Sequence, residues 1–176
     1  GNDFPFYTPA DLNQKQIFET KKNLSILGFN HSRSLPENSI LVVCIGGSIG
    51  KTSMIMKKGS SNQQINAIIP NLEKIIPDFL YYYVSSNSFQ NQIISTAKTT
   101  SLPILKKSKF LLLTLLLPSL IEQKQIIQNI KNAEEKFQSQ KKQFENIKNN
   151  YESKINSINH IQSSILDSAF SGKLLN

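Results

Sequence analysis

The stretch from Ser119 to Ser171 contains neither proline nor glycine, and this constrains the fold more than any other feature of the chain. Ser119 and Glu122 form an S-x-x-E capping box, in which each side chain can satisfy a free backbone amide of the first helical turn. Gly172 follows as a natural stop. The pattern predicts one uninterrupted helix, roughly 70 Å long at the usual rise per residue.

Apolar residues recur along this predicted helix at steps of three and four, apart from one seven-residue step across Gln140. A small domain alone cannot bury so long a stripe, so the helix needs a partner helix. The steps through Ile147, Tyr151 and Ile155 depart from strict heptads, which favours an antiparallel or locally unwound coiled coil as much as a regular zipper. The residues predicted to mediate dimerisation are Ile126, Ile130, Phe137, Phe144, Ile147, Tyr151, Ile155, Ile158 and Ile165.

Residues 1–118 have a different pattern, because they contain all seven prolines and six of the seven glycines. Short apolar runs between polar turns predict strands at 40–45, 52–56, 65–69 and 110–117. Helical spacing predicts two short helices, one after Pro77 and one from Phe89 to Ala97. We therefore predict an α+β fold, with a strand-rich domain over 1–118 and one long C-terminal helix over 119–176 that forms a coiled coil.

The charge balance favours a polyanionic partner. The chain has 20 Lys and Arg against 12 Asp and Glu, which gives a net charge of +8. Residues 1–118 hold 12 of the basic and 6 of the acidic residues. Nucleic acid is the first expectation and an anionic membrane surface the second. No apolar run reaches 18 residues, so we expect no membrane span and a cytoplasmic protein.

Few residues are available for catalysis or metal binding. The chain has one cysteine and two histidines, and its carboxylates are scattered singly, so we expect no metal site and no catalytic residues. Cys44 lies in an apolar run and is predicted to be a core thiol rather than a nucleophile.

The turn IGGSIGKT at 45–52 resembles a phosphate-binding loop but departs from it in two ways. A Walker A loop has four residues between its glycines, whereas only three separate Gly46 from Gly50. The residues after Lys51 are typical of a strand and not of a helix N-terminus facing a phosphate. We therefore predict a glycine-rich β-turn from which Lys51 projects, and a nucleotide-dependent enzyme is the minor alternative.

Four segments, taken in order, and the tail at 164–175 resemble the specificity subunit of type I restriction–modification systems. The segment FPFYTPADL at 4–12 resembles the start of that family's target recognition domain. The segment ILVVCIGGSIGKT at 40–52 resembles its strand and glycine turn. Its next strand is similar to NQQINAIIPN at 62–71. The pattern that begins its conserved helix is similar to LPILKKSKFLLLTLLLPSLIEQKQI at 102–126, and the end of its helical region to SILDSAFSGKLL at 164–175.

The resemblance implies a non-catalytic subunit in which a strand-rich domain reads one half of a bipartite target in double-stranded DNA, while paired helices act as a spacer. It implies docking to DNA methyltransferase (modification) subunits and, in the full complex, to a restriction subunit. S-adenosylmethionine and ATP would bind only those partners, and no cofactor would bind this chain. Typical members carry two recognition domains and two helical regions, so one of each implies a half-subunit or a fragment, a homodimer and a palindromic target.

Within this interpretation, cations anchor phosphates while hydroxyl and amide groups test base edges. The helices are expected to pair antiparallel. The main alternative is a coiled-coil scaffold with an incidental basic surface, and a variant is the separate specificity subunit of a fused restriction–modification enzyme. The residues predicted to contact DNA are His31, Arg33, Lys51, Gln63, Lys98, Thr99, Thr100 and Ser101.

Overall fold

The computed structural model describes residues 1–97 and 102–171, which fall into two compact units, 1–128 and 129–176. Within these described residues, the first unit holds all the strands, four short helices and the beginning of the long helix. In chain order the elements are β1 (Phe4–Tyr7), β2 (Gln16–Ile17), β3 (Asn23–Leu24), α1 (Ile26–Asn30), β4 (Ile40–Val43), β5 (Thr52–Ile55), β6 (Ser60–Ser61), β7 (Ile65–Ile68), α2 (Pro77–Ser85), α3 (Asn87–Thr96), α4 (Lys107–Phe110) and α5 (Leu120–Phe170).

The strands form two small sheets. The first has the order β3-β1-β6, with β1 antiparallel to β3 and parallel to β6. The second has the order β2-β5-β4-β7, with β4 antiparallel to both neighbours and β2 parallel to β5. The sequence predictions at 40–45, 52–56 and 65–69 are therefore confirmed, with slightly shorter strands.

Strand β4 is buried on both faces, which explains its continuous apolar sequence. Ile40 and Val42 belong to one hydrophobic cluster, and Leu41 and Val43 belong to another. Helices α2 and α3 cover the first cluster through Phe79, Leu80, Val84, Phe89 and Ile93. The second cluster includes Tyr7, Leu12, Ile17, Leu35, Ile55 and Ile65.

The strand predicted at 110–117 is wrong. The short helix α4 ends at Phe110, and the segment that follows contains no strand. Side chains satisfy its backbone instead: Thr114 N–H donates to Gln92 Oε1 at 3.1 Å, and Gln92 Nε2 donates to the Thr114 carbonyl oxygen at 3.1 Å. Leu116 N–H donates to the Tyr83 hydroxyl at 3.0 Å. The second half of this apolar run is therefore attached through side chains of α2 and α3 and does not pair with a strand.

The capping box at the start of α5 is formed as predicted. Ser119 N–H donates to Glu122 Oε2 at 2.8 Å, and Glu122 N–H donates to Ser119 Oγ at 3.3 Å. The hydrogen bonds from the Ser119 side chain and backbone lower the pKa of the Glu122 carboxyl. These reciprocal bonds satisfy two amides that the helix itself leaves without partners.

The described part of the second unit is a single helix that runs to Phe170. In this part, 129–171, no side chain is buried. The predicted dimerisation residues from Phe137 to Ile165 are all exposed, as are Leu166 and Phe170. None of the helices in the described part of the chain is long and apolar enough to cross a membrane.

Candidate nucleic-acid interface

The turn Gly46–Gly50, hereafter the glycine turn, joins the end of β4 to the start of β5. Gly50 N–H donates to the Val43 carbonyl oxygen at 2.8 Å, and Val43 N–H donates to that of Lys51 at 2.9 Å. Gly46 and Gly50 have φ values of +96° and +88°, which side-chain-bearing residues rarely adopt. A strand and not a helix follows, so the β-turn prediction is confirmed and Lys51 lies exposed beside the turn.

Gln90 of α3 packs against the glycine turn and the residue that starts β5. Its Nε2 donates to the Val84 carbonyl oxygen at 2.8 Å and lies 3.5 Å from Thr52 Oγ1. A Cβ atom at Gly50 would collide with Gln90 Oε1, so this glycine is required by close packing as well as by its φ angle. The position of Lys51 is therefore set by the junction of α2 and α3 as well as by the sheet.

Two further segments meet the glycine turn at this end of the sheet. Cys44 N–H donates to the Gln64 carbonyl oxygen at 2.7 Å, which attaches the loop 62–64. Leu105 N–H donates to the Cys44 carbonyl oxygen at 2.8 Å, and Gly46 N–H donates to that of Pro103 at 3.0 Å, which attaches the segment 102–105. The structure thus brings together three segments that are far apart in sequence. The predicted contact residues Lys98, Thr99, Thr100 and Ser101 lie outside the described residues.

Within the loop 62–64, the flanking amides bond to each other and the central one is exposed. Asn62 Nδ2 donates to Gln64 Oε1 at 3.0 Å, and Gln64 N–H donates to Asn62 Oδ1 at 3.1 Å. Gln63 is exposed between them. Gln63 is therefore the exposed amide of this loop, and its contact with DNA stays a prediction.

His31 and Arg33 form a second, separate group. Both are exposed in the connection between α1 and β4. Arg33 and Lys107 line a cleft of about 310 Å³ that reaches Ile69, just beyond β7. Val43, which precedes the glycine turn, pairs with Ile65 at the start of β7, whereas Ile68 at the end of β7 pairs with Ile40. Ile69 therefore lies at the opposite end of β7 from the glycine turn, roughly 10 Å of strand away. The predicted contact residues are therefore divided between two ends of one sheet.

The cations of these two groups have no carboxylate partner within the described residues. Lys51, Arg33 and Lys107 make none of the ion pairs found there, which join Lys15 to Asp78 and Lys148 to Glu152. Exposed cations without an internal partner are available to phosphate oxygens.

Lys15 differs from those cations because its bonds are internal. Its Nζ lies 2.6 Å from Asp78 Oδ1 and donates to the Tyr82 hydroxyl at 3.0 Å. Burial is the largest single influence and lowers the pKa of Lys15, but the hydrogen bonds and charge interactions with Asp78 and Tyr82 together outweigh it, and the pKa is raised. Lys15 therefore stabilises the contact with α2 and is not part of the candidate interface.

Cys44 is a core thiol, as predicted. It is buried, and Asn66 Nδ2 donates to its sulfur at 3.2 Å. Burial raises the pKa of the thiol, which disfavours the reactive thiolate. Over the ranges that the structure describes, no group of three or more His, Cys, Asp or Glu side chains could hold a metal ion.

The sequence did not identify three glutamines that hold distant segments together. Gln92 and Gln123 bond to backbone groups far away in sequence, and Gln90 bonds to the side chain of Thr52, 38 residues away. In an amide-rich chain, composition does not distinguish such side chains from exposed ones. Gln123 had one usable signal, since it precedes Ile127 by four residues and therefore shares the helix face that begins the apolar stripe.

Comparison with known proteins places this architecture in one family. The family model described as the type I restriction modification DNA specificity domain matches residues 1–149. The chain is 43% identical over 84 residues to the type I restriction enzyme HindI specificity subunit of Haemophilus influenzae, covering 46% of this chain and 18% of that protein. It is 25% identical over 169 residues to the EcoBI specificity subunit of Escherichia coli, covering 94% and 34%.

Solved structures show the same fold. The HsdS subunit from Thermoanaerobacter tengcongensis matches with a TM-score of 0.55 at 15% identity, covering 77% of this chain and 31% of that one. A chain from a study of type I R-M system assembly matches with a TM-score of 0.54 at 16% identity, covering 77% and 32%. The chain thus spans about a third or less of the length of these relatives. It belongs to the family of type I restriction–modification DNA specificity domains.

Proposed function

We propose that this chain is a sequence-recognition component of a type I specificity subunit, and that its first unit reads one half of a bipartite DNA target. The observation that carries the proposal is the convergence of three segments at the glycine turn, where an exposed cation, Lys51, and an exposed amide, Gln63, occupy the same end of the sheet. Lysine supplies phosphate attraction without sequence preference, whereas an amide can pair with a base edge. Family membership disfavours the coiled-coil scaffold alternative.

The charge distribution supports the same assignment. Residues 1–118 carry a net charge of +6, from 12 basic and 6 acidic residues, out of +8 for the chain. Such an excess attracts DNA and releases counterions on binding. Lys51 with Gln63 then forms one contact point, and Arg33 with Lys107 forms a second. His31 and Lys98 to Ser101 remain predicted contacts of the same unit.

In this proposal the chain positions other subunits and performs no chemistry itself. It would dock DNA methyltransferase subunits, which bind S-adenosylmethionine, and in a full complex the ATP-driven restriction subunit. Its exposed helix and its basic first unit give separate surfaces for assembly and for DNA. We place this activity in the cytoplasm.

The same proposal assigns the exposed helical stripe to a second copy of the chain. Ile130, Phe137, Phe144, Tyr151, Ile158 and Ile165 recur every seven residues, which is the repeat of a coiled-coil seam. Antiparallel pairing that aligns Ile126 with Ile165 also aligns Ile130 with Ile161, Phe144 with Ile147, the small Ala133 with Ile158, and Gln140 with Tyr151.

This alignment is preferred because it places a polar residue opposite a polar one. Gln140 interrupts the stripe, and the Tyr151 hydroxyl gives its carboxamide a hydrogen-bonding partner. A shift by one heptad would instead place Gln140 against Ile158 or against Phe144. A polar residue in the seam selects one alignment over the others, since an unmatched polar group loses its hydrogen bonds.

Cysteine crosslinking tests the pairing. We expect the double variant Ile126→Cys, Ile165→Cys to form disulfides between chains, with native Cys44 protected by burial. Ile126→Cys alone is the matched control and should not crosslink. Efficient 126-to-126 crosslinks would show a parallel pair and refute the antiparallel proposal.

DNA selection tests the recognition role. The 176-residue chain and its methyltransferase partner are incubated with a randomised duplex library, and the bound sequences are determined. On the selected target, Lys51→Ala should weaken binding and reduce the slope of log affinity against log salt by about one. Gln63→Ala should reduce sequence preference more than salt dependence, and Lys142→Ala on the second unit is the control. An unchanged affinity and slope for Lys51→Ala would remove that residue from the interface.

A further inference from the structure

The side chain of Gln123 attaches the first turns of α5 to the start of α2. Gln123 is fully buried, at 0% exposure. Its Oε1 accepts a hydrogen bond from Ile76 N–H at 2.8 Å, and its Nε2 donates to the carbonyl oxygens of Lys74 and Pro118, both at 2.9 Å. One carboxamide therefore satisfies three backbone groups that belong to two separate segments.

The two segments are the ones that determine how α5 begins. Ile76 is the N-cap residue of α2, and its own side chain makes no capping bond. Pro118 lies in the irregular segment that leads into α5, two residues before the helix begins at Leu120. In the described helix only Gln123 and Ile127 are buried, and Ile127 packs into the cluster that α2 covers. Apolar packing by Ile127 gives attraction without direction, whereas the three hydrogen bonds of Gln123 fix an orientation.

We propose that Gln123 is a positioning residue that fixes the direction of the first turns of α5, and that it thereby sets the spacing between the two DNA half-sites that a dimer reads. This inference rests on the proposed function, in which α5 separates two recognition domains. It predicts that Gln123 affects spacer length and leaves the half-site sequence unchanged, because its hydrogen bonds go to Lys74, Ile76 and Pro118 and to none of the described residues predicted to contact DNA.

The substitution Gln123→Met tests the inference with little change in side-chain length. Methionine cannot bond to Ile76 N–H or to the two carbonyl oxygens, so the first turns lose their fixed orientation while the apolar contact remains. We expect the variant to select the same half-sites from a randomised duplex library but to accept a wider range of spacers. Its preference for the wild-type spacer should fall roughly tenfold.

The matched control is Gln125→Met, the same exchange two residues later, at an exposed position of the same helix. This control should keep the wild-type spacer preference. A Gln123→Met variant that is folded by circular dichroism and keeps the wild-type spacer distribution would overturn the inference.

A second variant covers the case in which Gln123→Met does not fold. Gln123→Glu keeps the shape, and a neutral glutamic acid can still accept from Ile76 N–H and donate once, whereas the carboxylate cannot donate. Burial favours the neutral acid, so we expect the wild-type spacer preference to return as the pH is lowered, relative to wild type at each pH. A pH-independent defect would contradict the hydrogen-bonding role.

Residual dipolar couplings of the full chain separate this inference from the proposed function. Amides of residues 1–118 and of the first turns of α5 should fit one alignment tensor in wild type and two in Gln123→Met. If wild type selects no DNA sequence, the proposed function fails and the couplings still decide whether Gln123 fixes the helix. Identical fits for both proteins would overturn the positioning role.

Discussion

The two units differ in how they bury apolar side chains. The first encloses β4 between two hydrophobic clusters, and the side chains of Leu41 and Val42 point to opposite sides yet are both fully buried. The described part of the second unit buries no side chain, and Phe137 and Phe144 are 63% and 65% exposed. Exposed apolar rows of this kind are typical of interfaces. The first unit therefore has a core of its own, whereas the described part of the helix leaves its apolar row exposed, as the proposed assembly role requires.

The largest expected effect is a loss of stability in the core of the first unit. Leu80 is 1% exposed, and Leu80→Ala should lower the free energy of unfolding of the first unit by ~3 kcal/mol, since it leaves a cavity. Ile158→Ala, a change of similar size on the exposed stripe, should leave that unfolding transition unchanged and weaken only self-association. Urea titrations followed by circular dichroism at several protein concentrations separate the two effects. Equal losses for both variants would contradict the division into two units.

A smaller effect in the first unit concerns Tyr7. Burial raises the pKa of its hydroxyl to about 12, and the hydroxyl donates to the Lys57 carbonyl oxygen at 2.7 Å. Tyr7→Phe should cost ~1 kcal/mol of stability at neutral pH. Because the folded pKa lies above the unfolded value, the contribution is complete below pH ~10 and is lost as the pH rises towards 12. The free energy of unfolding, measured by denaturation at several pH values across this range, should fall less steeply with pH for Tyr7→Phe than for wild type.

The capping box tests the start of α5. Ser119→Ala should reduce helix stability by ~1 kcal/mol, because it removes one half of the reciprocal bonds. Since the pKa of Glu122 is lowered in the folded chain, its contribution is present above the unfolded pKa and is lost as the pH falls through the folded pKa. Helical signal measured through the acid range should therefore fall more for wild type than for Ser119→Ala. Parallel acid curves would show that the box contributes nothing to stability.

The smallest expected effect concerns the charged residues beside the proposed helical seam. In the proposed antiparallel alignment, Lys141 of one chain lies near Lys148 of the other, beside the seam. Lys141→Glu should strengthen self-association by ~0.5 kcal/mol, with less gain at high salt. The exposed Lys142→Glu is the matched control. Sedimentation equilibrium of both variants gives the comparison, and an equal gain for both would indicate a general charge effect rather than this alignment.

The sequence predicted elements whose determinants are local or periodic. Strand β4 could be predicted because burial on both faces produces a continuous apolar run. Helix α5 could be predicted because it starts at a capping box and continues as a periodic apolar stripe without proline or glycine. The false strand at 110–117 shows the limit, since its backbone partners, Gln92 and Tyr83, lie far away in sequence.

The candidate site follows the same rule. Lys51 and its turn were predictable from glycine spacing, and the exposure of Lys51 beside a left-handed Gly50 agrees with that prediction. The separation of Arg33 from Lys51 was not predictable, because it depends on the register of β4 against β7. Gln123 was missed because its role depends on the backbone of α2.

The central claim is that a second copy of the chain completes the helical unit. Sedimentation equilibrium of the 176-residue chain tests it most directly, together with Phe144→Asp, which would place a charge in the proposed seam. We predict a mass of twice the 19.9 kDa chain for wild type and a return to the single-chain mass for the variant. A wild-type chain that stays at 19.9 kDa at every concentration, with α5 still fully helical, would contradict the claim.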